Sequence, residues 1–356
     1  MKKILLDDNV AELHKTISFD TLENAYVQIV EALRAFWEEG ADVVSAEVFA
    51  PRTYLEVIAP LANASFPVNW VCSLEDDFKP ILAGVHFTGI SGAKPKFVKT
   101  RRGIKAVVYE DSANTYCRTF GVYSPLGNDD AYAHARSNLE MLEETLRECG
   151  FMFTDIVRTW FYNEDILSWY SDFNKARTEF YTEQGIFNGL LPASTGIGAP
   201  NPASKKMVSG LLAMKSKVGK VAGISDFVRE VSSPLQGGAP EYGSSFSRAI
   251  EIISPKSRRV MVSGTASIGA DGKTLYEGDI FKQVDLTLRV IEGILKEKGM
   301  GFENTTNAIV YCLRPEYFKV FQDWNKSHNI PFCPSYSIVC RGDLLFEVEL
   351  EAAVNV

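Results

Sequence analysis

The sequence predicts an α+β protein made of tandem units, each running strands, helix, strand, helix, strands. Two stretches 149 positions apart align with each other, ECGFMFTDIVRTWFY from Glu148 and EKGMGFENTTNAIVY from Glu297. The helices before them carry apolar residues in one register, and the aromatic helices after them both close on Asn-Lys. These three observations indicate two full copies of one unit behind a degenerate copy. The alternative is that any two α+β segments align in this way.

The degenerate unit is expected at residues 1–100. Its first helix is predicted from an apolar stripe at three-to-four spacing, formed by Leu22, Tyr26, Ile29, Leu33 and Trp37. The segment EEGADVVSAEVFA then predicts a strand, and another possible helix begins at Tyr54. We expect this unit to lack the opening hairpin of the other two.

The first full unit is expected at residues 101–230. A strand ends at Gly121, and the following helix has a core-facing stripe of Leu139, Leu142 and Leu146. An aromatic helix then closes on Asn-Lys at position 175, and LPASTGIG from Leu191 predicts the next strand.

The C-terminal unit is expected at residues 240–356 and repeats this order. Its strand ends at Gly264, its helix stripe is Leu288, Ile291 and Leu295, and a strand begins at Cys333 after an aromatic helix. Segments rich in glycine, serine and proline, at 89–95 and 232–247, predict the joints between units.

The composition excludes several classes of protein. The 356 residues carry a net charge of −8 and no basic run, so nucleic-acid binding is not expected. No run reaches the roughly 18 apolar residues of a membrane span, and the N-terminus turns acidic before a signal-like stretch develops. We expect a cytoplasmic protein with neither nucleic acid nor membrane as a partner.

The sequence lacks the patterns of common metal and cofactor sites. Its six cysteines contain no C-x-x-C pair, and none of its four histidines has zinc-ligand spacing. The dinucleotide, P-loop and serine-hydrolase motifs are also missing. We therefore predict no metal and no cofactor, and we expect chemistry by carboxylates, arginines, tyrosines or a cysteine.

The C-terminal unit resembles the Rid/YjgF family, the reactive intermediate deaminases also labelled endoribonuclease L-PSP. The resemblance is carried by the glycine loop, by a helix starting near Asp279 and Gln283, and by the acidic closing strand Val348 to Ala352. It covers 244–354 well and 103–215 moderately. It implies tandem Rid/YjgF-like (chorismate-mutase-like) units, each a mostly antiparallel sheet with helices packed on one face. Family members form homotrimers with small-metabolite sites in clefts between subunits.

Two features depart from the simple deaminases. The arginine of their P-[AS]-R-[ST] strand is replaced by Ser194 in one copy and by Tyr336 in the other. In addition, F-N-x-A-R-x-x-x-Y, P-A-S-T-G-I-G, S-F-S-R-A and C-R-x-D-L-L-x-E segments look like those of the chorismatases, here at 173–181, 192–198, 245–249 and 340–347. Chorismatases cleave pyruvate from chorismate and leave a dihydrodiol or 3-hydroxybenzoate.

Cleavage of an enol ether needs an acid that protonates the vinyl carbon. Strand alternation places Glu347, Glu349 and Glu351 on one face, where burial in a cleft would raise their pKa values. Glu347 matches the chorismatase glutamate and is our first candidate, and Glu349 is the candidate under the deaminase alignment. The resemblance also implies that Cys340 lies near the substrate ring, with 3-hydroxybenzoate as product. The alternatives are a solvated acidic face and a cysteine that fills the core.

Arginine suits carboxylate recognition because its fork binds both oxygens. We favour Arg158, Arg177, Arg248 and Arg341, with Tyr181 on the same helix face as Arg177. A surface or structural role is the alternative for each arginine.

Two glycine segments offer the close backbone approach that a planar ligand demands. They are Gly264, Thr265 and Ala266 in the last unit and Thr195 and Gly196 in the one before. The alternative is that these glycines serve the turn alone.

The sequence thus predicts a cofactor-independent, chorismatase-like lyase or hydrolase that binds a small carboxylate. A Rid-type imine or enamine deaminase using Glu349 and Arg341, and a catalytically silent metabolite-binding protein, are the alternatives. Three copies in one chain favour a monomeric pseudo-trimer, whereas a homotrimer would cover the degenerate copy.

Overall fold

The computed structural model describes most of the chain. The described residues are 1–19, 21–54, 61, 63–74, 81–127, 129–217, 227–238, 240 and 243–356. They form three sheets, each covered by helices on one face. No helix in these ranges is long and apolar enough to cross a bilayer.

Unit 1 has a five-stranded sheet in the order β1-β2-β5-β3-β4, covered by α1 (Leu22–Glu38). The strands are β1 (Lys2–Leu5), β2 (Ala11–Phe19), β3 (Ala41–Ala50), β4 (Val68–Cys72) and β5 (Ala83–Ser91). The antiparallel pair β1 and β2 is an opening hairpin, so our expectation that this unit lacks one was wrong. The helix expected from Tyr54 falls mostly on 55–60, outside the described residues.

Unit 2 has a six-stranded sheet in the order β10-β9-β11-β8-β7-β6, covered by α2 (Ala131–Glu148) and α3 (Ile166–Glu183). The strands are β6 (Lys96–Lys99), β7 (Lys105–Glu110), β8 (Asn114–Tyr123), β9 (Ile156–Asn163), β10 (Ala193–Gly198) and β11 (Met207–Ser216).

Unit 3 has a six-stranded sheet in the order β12-β13-β14-β17-β15-β16, covered by α4 (Ile280–Lys296) and α5 (Phe318–His328). The strands are β12 (Val228–Val231), β13 (Ala249–Ser254), β14 (Ser257–Ala266), β15 (Thr305–Cys312), β16 (Cys333–Tyr336) and β17 (Phe346–Asn355). Each sheet contains one parallel pair of strands: β3 with β4, β9 with β10, and β15 with β16. The other strand pairs within the described sheets are antiparallel, which confirms the predicted mostly antiparallel sheet.

The unit borders lie earlier than the sequence indicated. β6 pairs with β7, so the sheet of unit 2 begins before residue 101. β12 pairs with β13, so the sheet of unit 3 begins before residue 240. Each full unit thus has one additional edge strand, β6 or β12, before its opening hairpin, and the repeat alignment did not include this strand. The expected joint at 89–95 also starts too early, because Gly89 lies within β5.

The predicted helix stripes are confirmed in the full units and partly wrong in the first. The stripes of α2 and α4 are buried, whereas Tyr26 and Trp37 of α1 are 51% and 78% exposed. The buried face of α1 is instead formed by Ala25, Ile29, Ala32 and Phe36. Small alanines were not counted as core residues, and Phe36 fits against the bare backbone of Gly89.

The aromatic helices differ in length between the two full units. α5 ends at His328, soon after its Asn-Lys, but α3 continues two turns beyond Lys175 to Glu183. The prediction that both helices close on Asn-Lys is therefore wrong for unit 2. The extension carries Arg177 and Tyr181.

The three units contact each other in a cycle. β4 packs against β8 of unit 2, β10 against β14 of unit 3, and β16 against β5 of unit 1. One aromatic ring from each unit meets the other two where the units join: the ring centroids of Phe49, Tyr162 and Tyr311 lie 5.7 to 6.5 Å apart. The sheet faces away from the helices share one apolar core.

A buried ion network also joins all three units. Glu12 of unit 1 lies 2.8 Å from Arg259 of unit 3 and 3.7 Å from Arg118 of unit 2. Burial raises the pKa of Glu12, but Arg259, His14 and Arg118 outweigh burial and hold that pKa well below its usual range. Glu12, His14 and Glu351 lie close enough to share a cation, yet the Arg259 guanidinium already bridges the two carboxylates.

Candidate active site

A pocket of about 230 Å³ lies between units 2 and 3. Its walls come from α3, β10, the segment before β13, β14 and the chain between β16 and β17. Eight of the thirteen predicted site residues line it: Arg177, Gly196, Arg248, Gly264, Ala266, Cys340, Arg341 and Glu347. Residues that are far apart in the sequence therefore meet at one interface between units.

Glu347 supplies the carboxyl group of this pocket. It lies on β17 opposite Ala266 of β14 and Tyr311 of β15, and it is only 4% exposed. Burial and the charge of Glu349 raise its pKa to about 8, against the opposing effect of Arg158 and Arg248. The carboxyl is therefore largely protonated at neutral pH. The alternative of a solvated acidic face is wrong, because Glu349 and Glu351 are buried as well.

Gly264 makes room for that carboxyl. The pairing of β14 with β17 shifts between Val262 and Thr265, so Gly264 lies within a bulge inside the strand and not at its end. The same correction applies to Gly121 within β8. A Cβ on Gly264 would overlap a carboxyl oxygen of Glu347, so glycine allows the carboxyl to approach this backbone closely.

Three arginines enter the pocket from three different elements. Arg177 on α3 donates to Asn174 Oδ1 at 2.7 Å and stacks over Phe173. Arg248 donates to the Gly237 carbonyl at 2.9 Å, and Arg341 donates to the Gly272 carbonyl at 2.7 Å. These contacts hold the three guanidinium groups in place in the wall of the pocket.

Arg177 is the most deeply placed of the three. It is 2% exposed, and its Nε has no hydrogen-bond partner within the described part of the chain. A buried donor of a charged group without a partner is costly unless something else supplies an acceptor. An anionic ligand in the pocket would do so.

Cys340 also lies in the wall of this pocket, and its thiol is neutral. Burial and the nearby Glu347 raise its pKa to about 12, although Arg341 and a hydrogen bond with Tyr170 oppose the shift. A thiol of this kind is a poor nucleophile at neutral pH. It provides a small, polarisable contact surface for a ligand.

Six lining residues escaped the sequence analysis: Tyr170, Asn174, Ser194, Ser244, Phe246 and Ile268. A signal existed for some of them. Tyr170, Asn174 and Arg177 follow helical spacing on one face of α3, and Phe246 adjoins Arg248 within the S-F-S-R-A segment. Ser244 and Ile268 carried no such signal.

Five predicted residues do not line the pocket. Tyr181 packs against Phe153 and Phe187 in the core between the helices and the sheet of unit 2. Thr265 is buried and donates to the Ser263 carbonyl at 2.8 Å. The other three, Arg158, Thr195 and Glu349, are buried together directly behind Gly264.

These three residues form a connected layer. Arg158 Nη2 lies 2.7 Å from Glu349 Oε2 and donates to Thr195 Oγ1 at 2.6 Å. The Thr195 hydroxyl donates to Glu349, and Thr195 Oγ1 accepts from the Gly264 backbone amide at 3.1 Å. Trp160 Nε1 donates to the other Glu349 oxygen at 3.1 Å. Glu349 is thus occupied by protein donors, whereas Glu347 faces the pocket.

The internal repeat allows the three clefts to be compared position by position. One strand of each unit carries an aromatic residue at an equivalent position: Phe49, Tyr162 and Tyr311. On the last strand of each sheet, the residues paired with them are Gly84, Val208 and Glu347, in that order. Only the cleft between units 2 and 3 has a carboxyl at this place. We call it the acid cleft.

A larger cleft of about 650 Å³ lies between units 1 and 2. Apolar and aromatic side chains line it, including Val68, Trp70, Phe120, Tyr123 and Met141. Its two basic residues are engaged by protein groups, Arg102 by Glu144 at 2.6 Å and Lys105 by the Ala64 carbonyl at 2.5 Å. We call it the apolar cleft.

Comparison with known proteins gives a match at the level of structure. No protein-family model and no curated protein sequence matches the chain. A crystal structure of a chorismatase matches with a TM-score of 0.65 and 17% identity over 96% of this chain and 98% of that chain.

Shorter structures match about a third of the chain. Yeast Mmf1 has a TM-score of 0.29 and 21% identity over 35% of this chain and 97% of its own. A member of the YjgF/YER057c/UK114 family from Mycobacterium tuberculosis has a TM-score of 0.28 and 22% identity over 36% of this chain and 99% of its own. The whole-chain match confirms the predicted resemblance at the level of fold: this chain has the fold of a chorismatase along almost its full length.

Proposed function

We propose that the chain is a cofactor-independent enzyme that cleaves the enolpyruvyl ether of chorismate to pyruvate and a dihydrodiol or 3-hydroxybenzoate. The observation that carries the proposal is the buried Glu347 carboxyl, which lines one cleft together with three arginines. The chorismatase fold, at 17% identity, adds support. It does not by itself assign an activity.

The charges of the acid cleft fit a dicarboxylate. Arg177, Arg248 and Arg341 give it three cations, and Glu347 adds no charge while it is protonated. Chorismate has a ring carboxylate and an enolpyruvyl carboxylate, and arginine side chains in the wall of the cleft suit the recognition of carboxylates. Phe246 and Tyr170 offer ring faces and edges for the cyclohexadiene.

Glu347 then acts as the general acid. Its proton moves to the terminal vinyl carbon, and the electrons of the enol ether oxygen stabilise the resulting oxocarbenium ion. In the hydrolytic route a water adds to the neighbouring carbon, which carries the ether oxygen and the carboxylate, and it returns a proton to the Glu347 carboxylate to give a hemiketal. The hemiketal collapses, the ether bond breaks, and pyruvate and a ring alcohol leave. Protonated Glu347 is regenerated.

The second product depends on the ring. The dihydrodiol retains both ring oxygens and consumes one water overall, whereas 3-hydroxybenzoate and pyruvate together contain the atoms of chorismate with no net water. The resemblance to the chorismatases links a cysteine at position 340 with the 3-hydroxybenzoate-forming type. Cys340 lines the pocket, and its thiol is neutral. We propose that it contacts the ring and forms no covalent bond.

We also propose that one chain is sufficient for activity. Both walls of the acid cleft come from units 2 and 3 of the same chain. A monomeric mass by light scattering in an active sample is the expected result. Activity confined to an oligomer would contradict this proposal.

The direct test is incubation with chorismate, with pyruvate followed by a coupled assay and the ring product by chromatography. We expect wild-type protein to release pyruvate and Glu347→Gln to lose about 10²–10⁴-fold in rate, the usual range for loss of a general acid. Glu143→Gln, on α2 outside the pocket lining and paired with Arg147, is the matched control and should retain full activity. Wild-type protein that releases no pyruvate at micromolar concentration would contradict the proposed activity.

A further inference from the structure

The three residues of the layer behind Gly264 do not line the pocket, yet the layer is charged and buried. Arg158 comes from unit 2 and Glu349 from unit 3, so their ion pair spans the same interface that holds the acid cleft. Replacing such a pair by apolar residues is often neutral or stabilising. Stability alone therefore gives little reason for charges at this place.

The layer touches the pocket through one backbone group. Thr195 Oγ1 accepts a hydrogen bond from the Gly264 backbone amide. The Cα of Gly264 lies directly against the Glu347 carboxyl. Thr195 in turn is held by Arg158 and Glu349. The position of Gly264, and with it the floor beneath Glu347, is thus set by three side chains from two units.

The layer also acts on Glu347 through charge. Glu349 lies two residues away on the same face of β17, and its negative charge opposes ionisation of Glu347, while Arg158 favours it. Other charged or titratable groups around the carboxyl are Arg177 and Tyr170 on α3, Arg248 before β13, Tyr311 on β15, and Cys340 and Arg341 before β17. Among these neighbours, Glu349 is the one carboxylate fixed by three protein donors.

We propose that Glu349, Arg158 and Thr195 form one positioning unit that fixes the Gly264 backbone against the Glu347 carboxyl. The catalytic meaning of this unit depends on the proposed function. Its effect on Glu347 does not, because position and charge are properties of the protein without substrate. Glu349 and Arg158 act with opposite sign on the same carboxyl.

The test is a titration of the Glu347 carboxyl by carbon-detected NMR on protein labelled at glutamate carboxyl carbons, with Glu347→Gln to assign the signal. Glu349→Gln keeps the shape and removes the negative charge, so the Glu347 midpoint should fall by about one pH unit or more. Arg158→Gln should move the midpoint upward. The double variant, which retains neither charge, should return towards wild type and serves if a single variant does not fold.

Chorismate turnover provides the second readout. The loss of activity at high pH should move to lower pH in Glu349→Gln and to higher pH in Arg158→Gln, which a merely structural role would not produce. Thr195→Val should lower kcat several-fold at all pH values with little change in KM. If wild type releases no pyruvate, the proposed function fails while the NMR titration still decides the positioning role. Midpoints of Glu347 that stay within 0.3 pH units (about 0.4 kcal/mol) in both single variants would overturn the inference.

Discussion

The acid cleft and the apolar cleft occupy equivalent interfaces and have opposite chemistry. At the place on the closing strand where unit 3 has Glu347, unit 2 has the buried Val208. On the facing strand Ala266 corresponds to Tyr123. The acid cleft contains three arginines and a buried carboxyl, whereas the apolar cleft is lined mainly by apolar and aromatic side chains. The repeated fold supplies a cleft, and a few side chains decide whether it can perform chemistry.

The third interface shows another outcome. Between units 3 and 1 the equivalent place is Gly84, and a Cβ there would meet Cys333 Sγ at 2.6 Å. The Cys333 side chain of unit 3 occupies the space that a side chain at position 84 would need. At this place one interface of the protein is closed by Gly84 and Cys333, whereas another holds an acid.

The two equivalent glycines give the largest expected contrast. Gly264→Ala pushes against the Glu347 carboxyl and should lower kcat about 100-fold, as a displacement of about 1 Å does in an active site. Gly121→Ala should leave the kcat of the folded protein within twofold and lower the melting temperature, because Gly121 has a φ of +69° and lies against the Val68 carbonyl. Steady-state kinetics and thermal melts of both variants measure this. Equal kcat losses would remove the distinction between the clefts.

An arginine from each cleft gives the next contrast. Arg177→Gln should lower kcat/KM by about 10–100-fold, since a hydrogen bond to a charged group contributes about 1.5–3 kcal/mol. Arg102→Gln, in the apolar cleft, should change kcat/KM less than twofold because Arg102 is exposed and paired with Glu144. A large loss in Arg102→Gln would place substrate in the apolar cleft instead.

The last contrast concerns stability. The folded state binds a proton at Glu347 that the unfolded state releases above its normal pKa, so this group lowers stability as pH rises from about 4.5 to about 8. Glu347→Gln should therefore be more stable than wild type by about 4 kcal/mol at pH 8 and about equal at pH 4. Val208→Ala should instead lose about 1–2 kcal/mol at both pH values, because it removes buried methyl groups. Urea unfolding at the two pH values tests both signs.

The sequence predicted the fold well where a pattern was local. The stripes of α2 and α4, the acidic face of β17 and the motif segments with Arg177, Arg248 and Cys340 all carried a spacing or a resemblance. The register of α1 failed because its core face uses Ala25 and Ala32, which an apolar pattern of large residues passes over.

The division of the site into two layers could not be predicted. Strand alternation places Glu347 and Glu349 on one face, but it does not tell which of them faces a pocket and which meets an arginine from another unit. That depends on the contact between β10 and β14, where Thr195 of unit 2 reaches the Gly264 bulge of unit 3. Contacts between repeats have no signature within either repeat.

The placement of all three units on one chain has a consequence for how such a site arises. In a ring of identical chains each substitution appears at every interface at once, so a buried acid would weaken three contacts together. Here Glu347 appears once, while Val208 and Gly84 keep the corresponding places uncharged. Covalent fusion releases the interfaces from symmetry, and one of them can then specialise while the others hold the ring together.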